Sequence, residues 1–338
     1  MVSLSVTLPI RRALVTGCAG FIGSHLTESL LGDGIEVLGV DCFNNNYGRA
    51  DKLSNLAHAQ AWPAFQFVPV DLATGDLRPL VDECDVVFHL AAEPGVRASW
   101  SDRFEFYVRN NVLATHHLLQ AFLGAPARRL VFASSSSIYG QAEIFPTVET
   151  ALPRPVSPYG VTKLTGEQLC QAYRENHGIE FAALRFFSVY GPRQRPDMAF
   201  RRFCEAALSD EEITIFGDGL QTRDFTYVAD IVTALREAAV SHKPVGRIIN
   251  IGGGSRVSLA SAVDLLGGIH GAPLSVRYVE RQKGDVRDTG ADTTLAGELL
   301  AFSSNTTLAD GLAAEYQWCL ERRTLAAASP LWRAAVLH

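Results

Sequence analysis

The run Ala13-Leu14-Val15-Thr16-Gly17-Cys18-Ala19-Gly20-Phe21-Ile22-Gly23 constrains this chain more than any other stretch. An apolar strand meets three evenly spaced glycines, and an amphipathic segment follows. Each glycine has a separate job in such a strand–turn–helix unit. Gly17 permits a tight turn, Gly20 lets backbone approach a pyrophosphate, and Gly23 lets helix and strand pack closely, with Phe21 and Ile22 at the helix start. The diphosphate then lies on free N–H groups at the helix N-terminus. Three glycines alone are a weak signal, and the next strand strengthens it. That strand ends at Asp41, 24 residues after Gly17, where a carboxylate binds the hydroxyls of an adenosine ribose. A 2′-phosphate beside Asp41 would be repelled, so the pattern favours NAD over NADP. Asp71 and Leu72, closing the third strand, are expected to border the adenine.

The first two-thirds of the chain repeats this alternation. Strands are expected at 13–16, 36–41, 65–71, 86–89, 130–134 and 182–185, with helices at 22–31, 77–81, 106–122 and 159–176. The order implies right-handed βαβ units and a doubly wound parallel sheet with helices on both faces, a Rossmann α/β fold. Past Arg185 the texture changes to Pro192, Arg193, Arg195, Pro196 and the turn Gly217-Asp218-Gly219. A further apolar strand at 247–251 is expected to return to the sheet. The expected organisation is an NAD-binding domain of residues 11–187 plus about 225–256, interleaved with a smaller α/β domain of about 188–224 plus 257–330 that binds the substrate.

Composition narrows the partners. At 338 residues and 47% hydrophobic, the chain can bury a sizeable core in roughly two domains. Net charge is −6, from 36 acidic and 30 basic residues, with no basic block. That balance argues against nucleic acid, while an anionic small ligand needs only a few local cations. Six scattered cysteines form no C-x-x-C pair and nine histidines form no H-E-x-x-H, so neither metal site nor disulfide framework is expected. A reducing cytoplasm is the simplest setting. In the opening residues 1–10 the basic pair Arg11-Arg12 follows the apolar run, the reverse of a signal peptide, so this stretch reads as a loose extension. No run approaches the roughly 18 apolar residues of a membrane span.

The chemistry centres on Ser157-Pro158-Tyr159-Gly160-Val161-Thr162-Lys163, which opens a helix with Tyr159 and Lys163 on one face. A phenol with a pKa near 10 is only about 0.1% ionised at pH 7. A useful base near neutrality needs a shift of roughly 3 units, about 4 kcal/mol of differential stabilisation. A nearby ammonium and a positive nicotinamide ring have the right sign. A tyrosine and lysine at this spacing are also an ordinary helical surface pair. The upstream run Ser134-Ser135-Ser136-Ser137-Ile138-Tyr139-Gly140 shifts the weight, because it brings hydroxyls to the carboxyl end of a central strand, where open parallel sheets bind ligands.

The glycine turn, His89-Leu90-Ala91-Ala92, Asn111, the run from Ser134 to Gly140 and Tyr159-x-x-x-Lys163 together resemble the extended short-chain dehydrogenase/reductases. Arg185-Phe186-Phe187-Ser188-Val189-Tyr190-Gly191-Pro192-Arg193 and Gly217-Asp218-Gly219-Leu220-Gln221-Thr222-Arg223-Asp224-Phe225 extend the resemblance to the NAD-dependent nucleotide-sugar epimerases and dehydratases. It covers the chain from about Arg11 to Trp318. The resemblance implies a tightly held NAD regenerated in each turnover, with Tyr159 as base, Lys163 as its electrostatic partner and ribose ligand, and Ser135 as the catalytic hydroxyl. It also implies that Arg223 meets a nucleotide diphosphate, that Arg287 lies in a second diphosphate loop, and that Asn111 props the site. A homodimer through helices 106–122 and 159–176 is expected on the same ground, although periodicity alone does not separate a dimer seam from a core face.

Within this group, 4,6-dehydratases look like T-D-E-V-Y-G after the strand, and UDP-glucuronate decarboxylases carry a glutamate two places before the tyrosine. Here Ser136 and Ser137 stand in those positions, so elimination and decarboxylation lack their acid. What remains is oxidation at C4 and reduction from the other face. The motifs Glu93-Pro94-Gly95-Val96-Arg97-Ala98-Ser99 and Arg193-Gln194-Arg195-Pro196-Asp197-Met198-Ala199 are similar to those of UDP-glucuronate 4-epimerases, which give UDP-galacturonate. A 4-keto uronate is a β-keto acid prone to lose CO₂. Donors that hold the carboxylate out of line with the carbonyl π system would suppress that loss, and Ser136, Ser137, Ser188 and Arg195 are the candidates. The serines also read as a polar loop, and Arg195 as a surface or diphosphate-binding arginine. Thr289 leaves room for larger groups, so UDP-glucose and UDP-N-acetylglucosamine remain alternative substrates. A non-catalytic NAD-binding protein is the alternative from another class.

Overall fold

A computed structural model describes residues 9–328, apart from residues 126, 128 and 283. The expected loose extension therefore lies mostly outside the described residues, as do the last two residues of the expected smaller domain.

Seven parallel strands run in the spatial order β11 (Arg247–Ile251), β6 (Phe181–Phe186), β5 (Arg129–Ser135), β4 (Val86–His89), β1 (Arg12–Thr16), β2 (Glu36–Asp41) and β3 (Phe65–Pro69). The sequence reading carries β3 on to residue 71. The ladder stops at Pro69 because its partner there, Asp41, is the last residue of β2. Successive strand residues point to opposite faces, and the apolar runs feed two cores accordingly. Leu14, Val87, Leu130 and Ala183 pack on α3 (Arg78–Asp82), α5 (Ala114–Phe122) and α6 (Pro158–His177). Val15, Phe88, Val131 and Ala182 pack on the opposite side, on α1 (Phe21–Gly32) and α8 (Val228–Val240). Strand β11 joins the open edge of β6, with Arg247–Ile251 paired against residues 182–186.

The helix expected at 106–122 is built in three pieces. α4 (Phe104–Tyr107) runs into a π-helical turn, Val108–Leu113, and then into α5. Such single π turns are concentrated at functional sites. This one carries the buried Asn111.

The smaller lobe is made of short pairings. β8 (Ile213–Phe216) lies parallel to β13 (Val276–Val279), and β9 (Thr222–Asp224) antiparallel to β12 (Arg256–Ser258). β7 (Val189–Tyr190) and β10 (Thr226–Tyr227) form a third, parallel pair. α7 (Ala199–Leu208), α9 (Leu259–His270) and α11 (Leu308–Ala328) close a core around Tyr190, Phe200, Leu266 and Leu312. One stretch sits elsewhere than its expected lobe. In and after α10 (Thr294–Leu300), Ala296, Leu300 and Phe302 are buried in the sheet-side core, because their apolar stripe faces α8 and β11.

Candidate active site

The glycine turn works by exclusion. Gly17 takes φ +71°, and a Cβ there would come within 2.8 Å of the Ala91 nitrogen. A Cβ on Gly23 would stand 2.1 Å from the Gly17 carbonyl. Any side chain at either position would therefore push the turn apart. The first turn of α1 lines the cleft, and Gly20, its N-cap, supplies no side chain to its N–H groups. That cradle fits a dinucleotide diphosphate.

The ten residues expected to touch the cofactor, Gly17 through Lys163, line this one cleft. Asp41 accepts from the Phe43 amide at 2.7 Å and has the buried Lys52 ammonium at 3.4 Å. Asp71 accepts from the Ala73 amide at 2.9 Å and from Arg109 at 2.5 Å. Lys52 escaped the sequence reading, since nothing in its spacing marks it as the partner of Asp41. The helix α2 (Arg49–Leu56) brings it there.

Ser157 caps α6 by accepting from the Gly160 amide at 3.1 Å, and Pro158 occupies the first turn. This start sets Tyr159 one turn before Lys163. The Lys163 ammonium donates to the Ala133 carbonyl at 2.8 Å, and burial pushes its pKa down to about 8 against the opposing charge of Glu167. Enclosure pushes the Tyr159 phenol up, while a Ser135 hydrogen bond and the positive charge of Arg195 pull it back down. The sequence reading gives Lys163 the role of cation acting on the phenol. The cation that acts on the phenol here is Arg195, while the Lys163 ammonium donates to the strand carbonyl. Tyr107 packs edge-on against the Tyr159 ring at 6.4 Å. Asn111 ties the region together, donating to Thr162 on α6 at 2.9 Å and to the Glu93 carbonyl at 3.0 Å.

Behind α6 lies a buried polar network. Glu167 receives Arg185 through both oxygens, at 2.9 and 2.8 Å, and also accepts from Ser134. Arg185 also donates to the Tyr139 hydroxyl at 2.7 Å, and Tyr139 donates to Asn250 at 2.7 Å. These groups join β5, β6, β11 and α6 at one end of the sheet.

A second cleft opens beside the first, lined by five arginines and three carboxylates. Ser188, Arg195 and Arg223 line it, and Arg195, Asn46 and Pro94 line both clefts. Three expected ligand residues stand apart. Ser136 and Ser137 form a 3₁₀ turn after β5 outside both linings. Arg287 points to Asp218, with Nη1 at 3.0 Å, because the turn after β8 offers it an exposed carboxylate. Arg195 is in place, but its fork is held by Asp197, at 3.0 and 2.9 Å. Arg223 donates to the carbonyls of Val286 and Arg287 at 2.9 and 3.0 Å, so it braces that loop as well as lining the cleft. Arg97, not assigned from sequence, lies 4.3 Å over the Phe216 ring and pairs with Asp285 at 2.7 Å. His116 is half-buried, with its ring nitrogen 3.1 Å from the Tyr173 hydroxyl. Among the described residues, no cluster of histidine, cysteine or acidic groups could hold a metal, and no helix is long and apolar enough to cross a membrane.

Sheet order, glycine cradle, the Asp41 carboxylate at the end of β2 and the tyrosine–lysine pair define an NAD-dependent enzyme of the extended short-chain dehydrogenase/reductase class. The chain belongs to the NAD dependent epimerase/dehydratase family, whose profile matches residues 13–252. It is 45% identical over 307 residues to an uncharacterized UDP-glucose epimerase of Bacillus subtilis, covering 90% of this chain and 96% of that protein. It is 37% identical over 314 residues to a UDP-glucuronate 4-epimerase of Thermodesulfobacterium geofontis, covering 91% and 96%. The crystal structure of UDP-glucuronic acid 4-epimerase from Bacillus cereus, in complex with UDP-glucuronic acid and NAD, superposes with a TM-score of 0.89 at 42% identity, over 92% of this chain and 99% of that one.

Proposed function

We propose that this NAD-dependent nucleotide-sugar 4-epimerase interconverts UDP-glucuronate and UDP-galacturonate. The observation that carries the reading is Arg195, a cation at the meeting of the cofactor and sugar clefts, near enough to act on the Tyr159 phenol. A sugar whose C4 reaches Tyr159 brings C6 to the same neighbourhood, where a carboxylate meets a guanidinium. Ser188 adds a hydroxyl there. The absence of an acid at Ser136 and Ser137 supports epimerisation over elimination or decarboxylation.

NAD held in this cleft would supply the acceptor for the C4 hydride and the donor for its return to the opposite face. Tyr159 takes the C4 hydroxyl proton and later gives it back, with Ser135 the hydroxyl that acts on the phenol. Arg223 offers charge to the diphosphate from the wall of the sugar cleft. The 4-keto uronate keeps its carboxylate only while the bond to that group is held out of line with the ketone, and a bidentate arginine is suited to that task. Arg195 must then exchange Asp197 for the sugar. The exchange is feasible because Asp197 is largely exposed and regains its hydration when released.

A UDP-glucose substrate is the second reading, favoured by the same Asp197 pairing, since a neutral sugar leaves the pair intact. Incubating the enzyme with each UDP-sugar separately decides between them, and conversion of the neutral sugar alone overturns the first reading. We further infer a cytoplasmic homodimer. Phe106, Leu113 and Val161 are exposed on the two helical segments expected to pair, and sedimentation at monomer mass would reject that seam.

A further inference from the structure

The cofactor cleft is crossed by a chain of polar contacts that runs on from the Asp41–Lys52 pair. It begins at Asp41, the ribose carboxylate, where Lys52 stands 3.4 Å away. Lys52 donates to the Asn44 side-chain oxygen at 2.7 Å. Asn44 in turn donates through Nδ2 to Glu93 Oε2 at 3.0 Å, and Arg103 lies 3.4 Å from Glu93 Oε1. Asn44 and Lys52 line the cofactor cleft, while Glu93 and Arg103 line the sugar cleft. The contact between Asn44 and Glu93 thus joins the loop after β2 to the loop after β4, two segments that both line the cofactor cleft.

Glu93 is well suited to act as the fixed end. Its backbone is clamped on both sides by Asn111, which accepts from the Glu93 amide at 2.7 Å and donates to its carbonyl at 3.0 Å. Burial pushes the Glu93 carboxyl up, and the charges of Arg103, Lys52 and Arg195 pull it back down in part. Asn44 is the movable end, since it sits on a loop with no strand or helix of its own between Asp41 and α2.

We propose that Glu93 is a positioning residue that latches the Asn44 loop across the NAD cleft and so holds the cofactor through the reaction cycle. The proposal deepens the 4-epimerase reading, for which cofactor release between oxidation and reduction would strand a keto sugar. The measurement needs no sugar, so its failure leaves that reading standing. NAD-loaded enzyme is diluted into excess of a second dehydrogenase that reports free NAD, and the release rate is followed. Glu93→Ala and Asn44→Ala are each expected to release NAD at least about tenfold faster, the scale of one lost charge-assisted hydrogen bond. Glu93→Gln, which retains an acceptor for Asn44, should restore most of the slow rate. The double variant should release NAD no faster than either single variant, because the two groups form one contact. Apo-protein thermal midpoints within a degree or two of the parent would separate a latch from a folding defect. Release rates within twofold of the parent in Glu93→Ala would overturn the proposal. So would equal acceleration by Glu93→Ala and Glu93→Gln, or strictly multiplicative effects in the double variant.

Discussion

Replacing Glu167 with Gln should damage this enzyme in two separable ways. The carboxylate is fully buried and grips Arg185, itself almost fully buried, through both oxygens. Removing its charge leaves a guanidinium inside the protein without a counter-ion, a change that costs about 3–5 kcal/mol. The same carboxylate is the main influence raising the Lys163 pKa against burial, which otherwise drives it down. With that pKa near 8, about nine-tenths of the ammonium is charged at pH 7. A further fall of about one unit would leave roughly half charged. Urea unfolding at pH 7 should therefore find Glu167→Gln several kcal/mol less stable. The alkaline limb of kcat/KM should move to lower pH as Lys163 loses its proton earlier. The paired variant Glu167→Met with Arg185→Met should recover most of the lost stability, because a dry pair of similar volume leaves no orphaned charge. A Glu167→Gln protein within about 1 kcal/mol of the parent, with an unmoved alkaline limb, would refute this reasoning.

Three further outcomes are expected. Tyr159→Phe should retain NAD while losing orders of magnitude in turnover, and a near-normal rate would remove Tyr159 from the base role. Arg195→Ala should harm UDP-glucuronate more than UDP-glucose in kcat/KM, with equal loss on both counting against carboxylate recognition. Acid should destabilise the fold through His25 and His89, whose pKa values burial drives down to about 4 and about 3. Both are neutral when folded, and unfolding frees them to bind protons below their ordinary value near 6.5. Their stability contribution is thus complete above that pH and falls as pH drops toward 4, by about 1.4 kcal/mol per pH unit for each histidine. Urea titrations between pH 7 and 4.5 should give His25→Gln a shallower decline than the parent. An unchanged slope would show that some other group sets the acid limit.

The sheet was legible because its information is local. Apolar runs broken by glycine turns state a parallel α/β order, and strand edges shift by only a residue or two where a neighbour ends, as at Pro69. The cleft at the glycine turn was legible for the same reason, since Gly17, Gly20 and Asp41 follow one another along adjacent strands. The missing parts are those that depend on distant chain segments meeting. Lys52 reaches Asp41 only through the placement of α2, and Glu93 reaches Asn44 only across the cleft. Arg287 sits in a loop of suggestive sequence, and its pairing with Asp218 across the chain is a contact that sequence does not state. Arg195 was found by position, but its pairing with Asp197, two residues along, depends on rotamers that sequence does not state.

Strand β11 has a meaning for how the protein is made. The outer edge of β6 is covered by residues 247–251, which leave the ribosome only after most of the smaller lobe's first half. Until then β6 presents unpaired N–H and C=O groups along Phe181–Phe186, a template for any neighbouring nascent chain. Each new molecule therefore passes through an interval in which its own missing strand and a stranger's strand compete for one edge. An edge left open in that interval is the kind of surface through which folding intermediates aggregate, so β11 closes a hazard as well as a sheet.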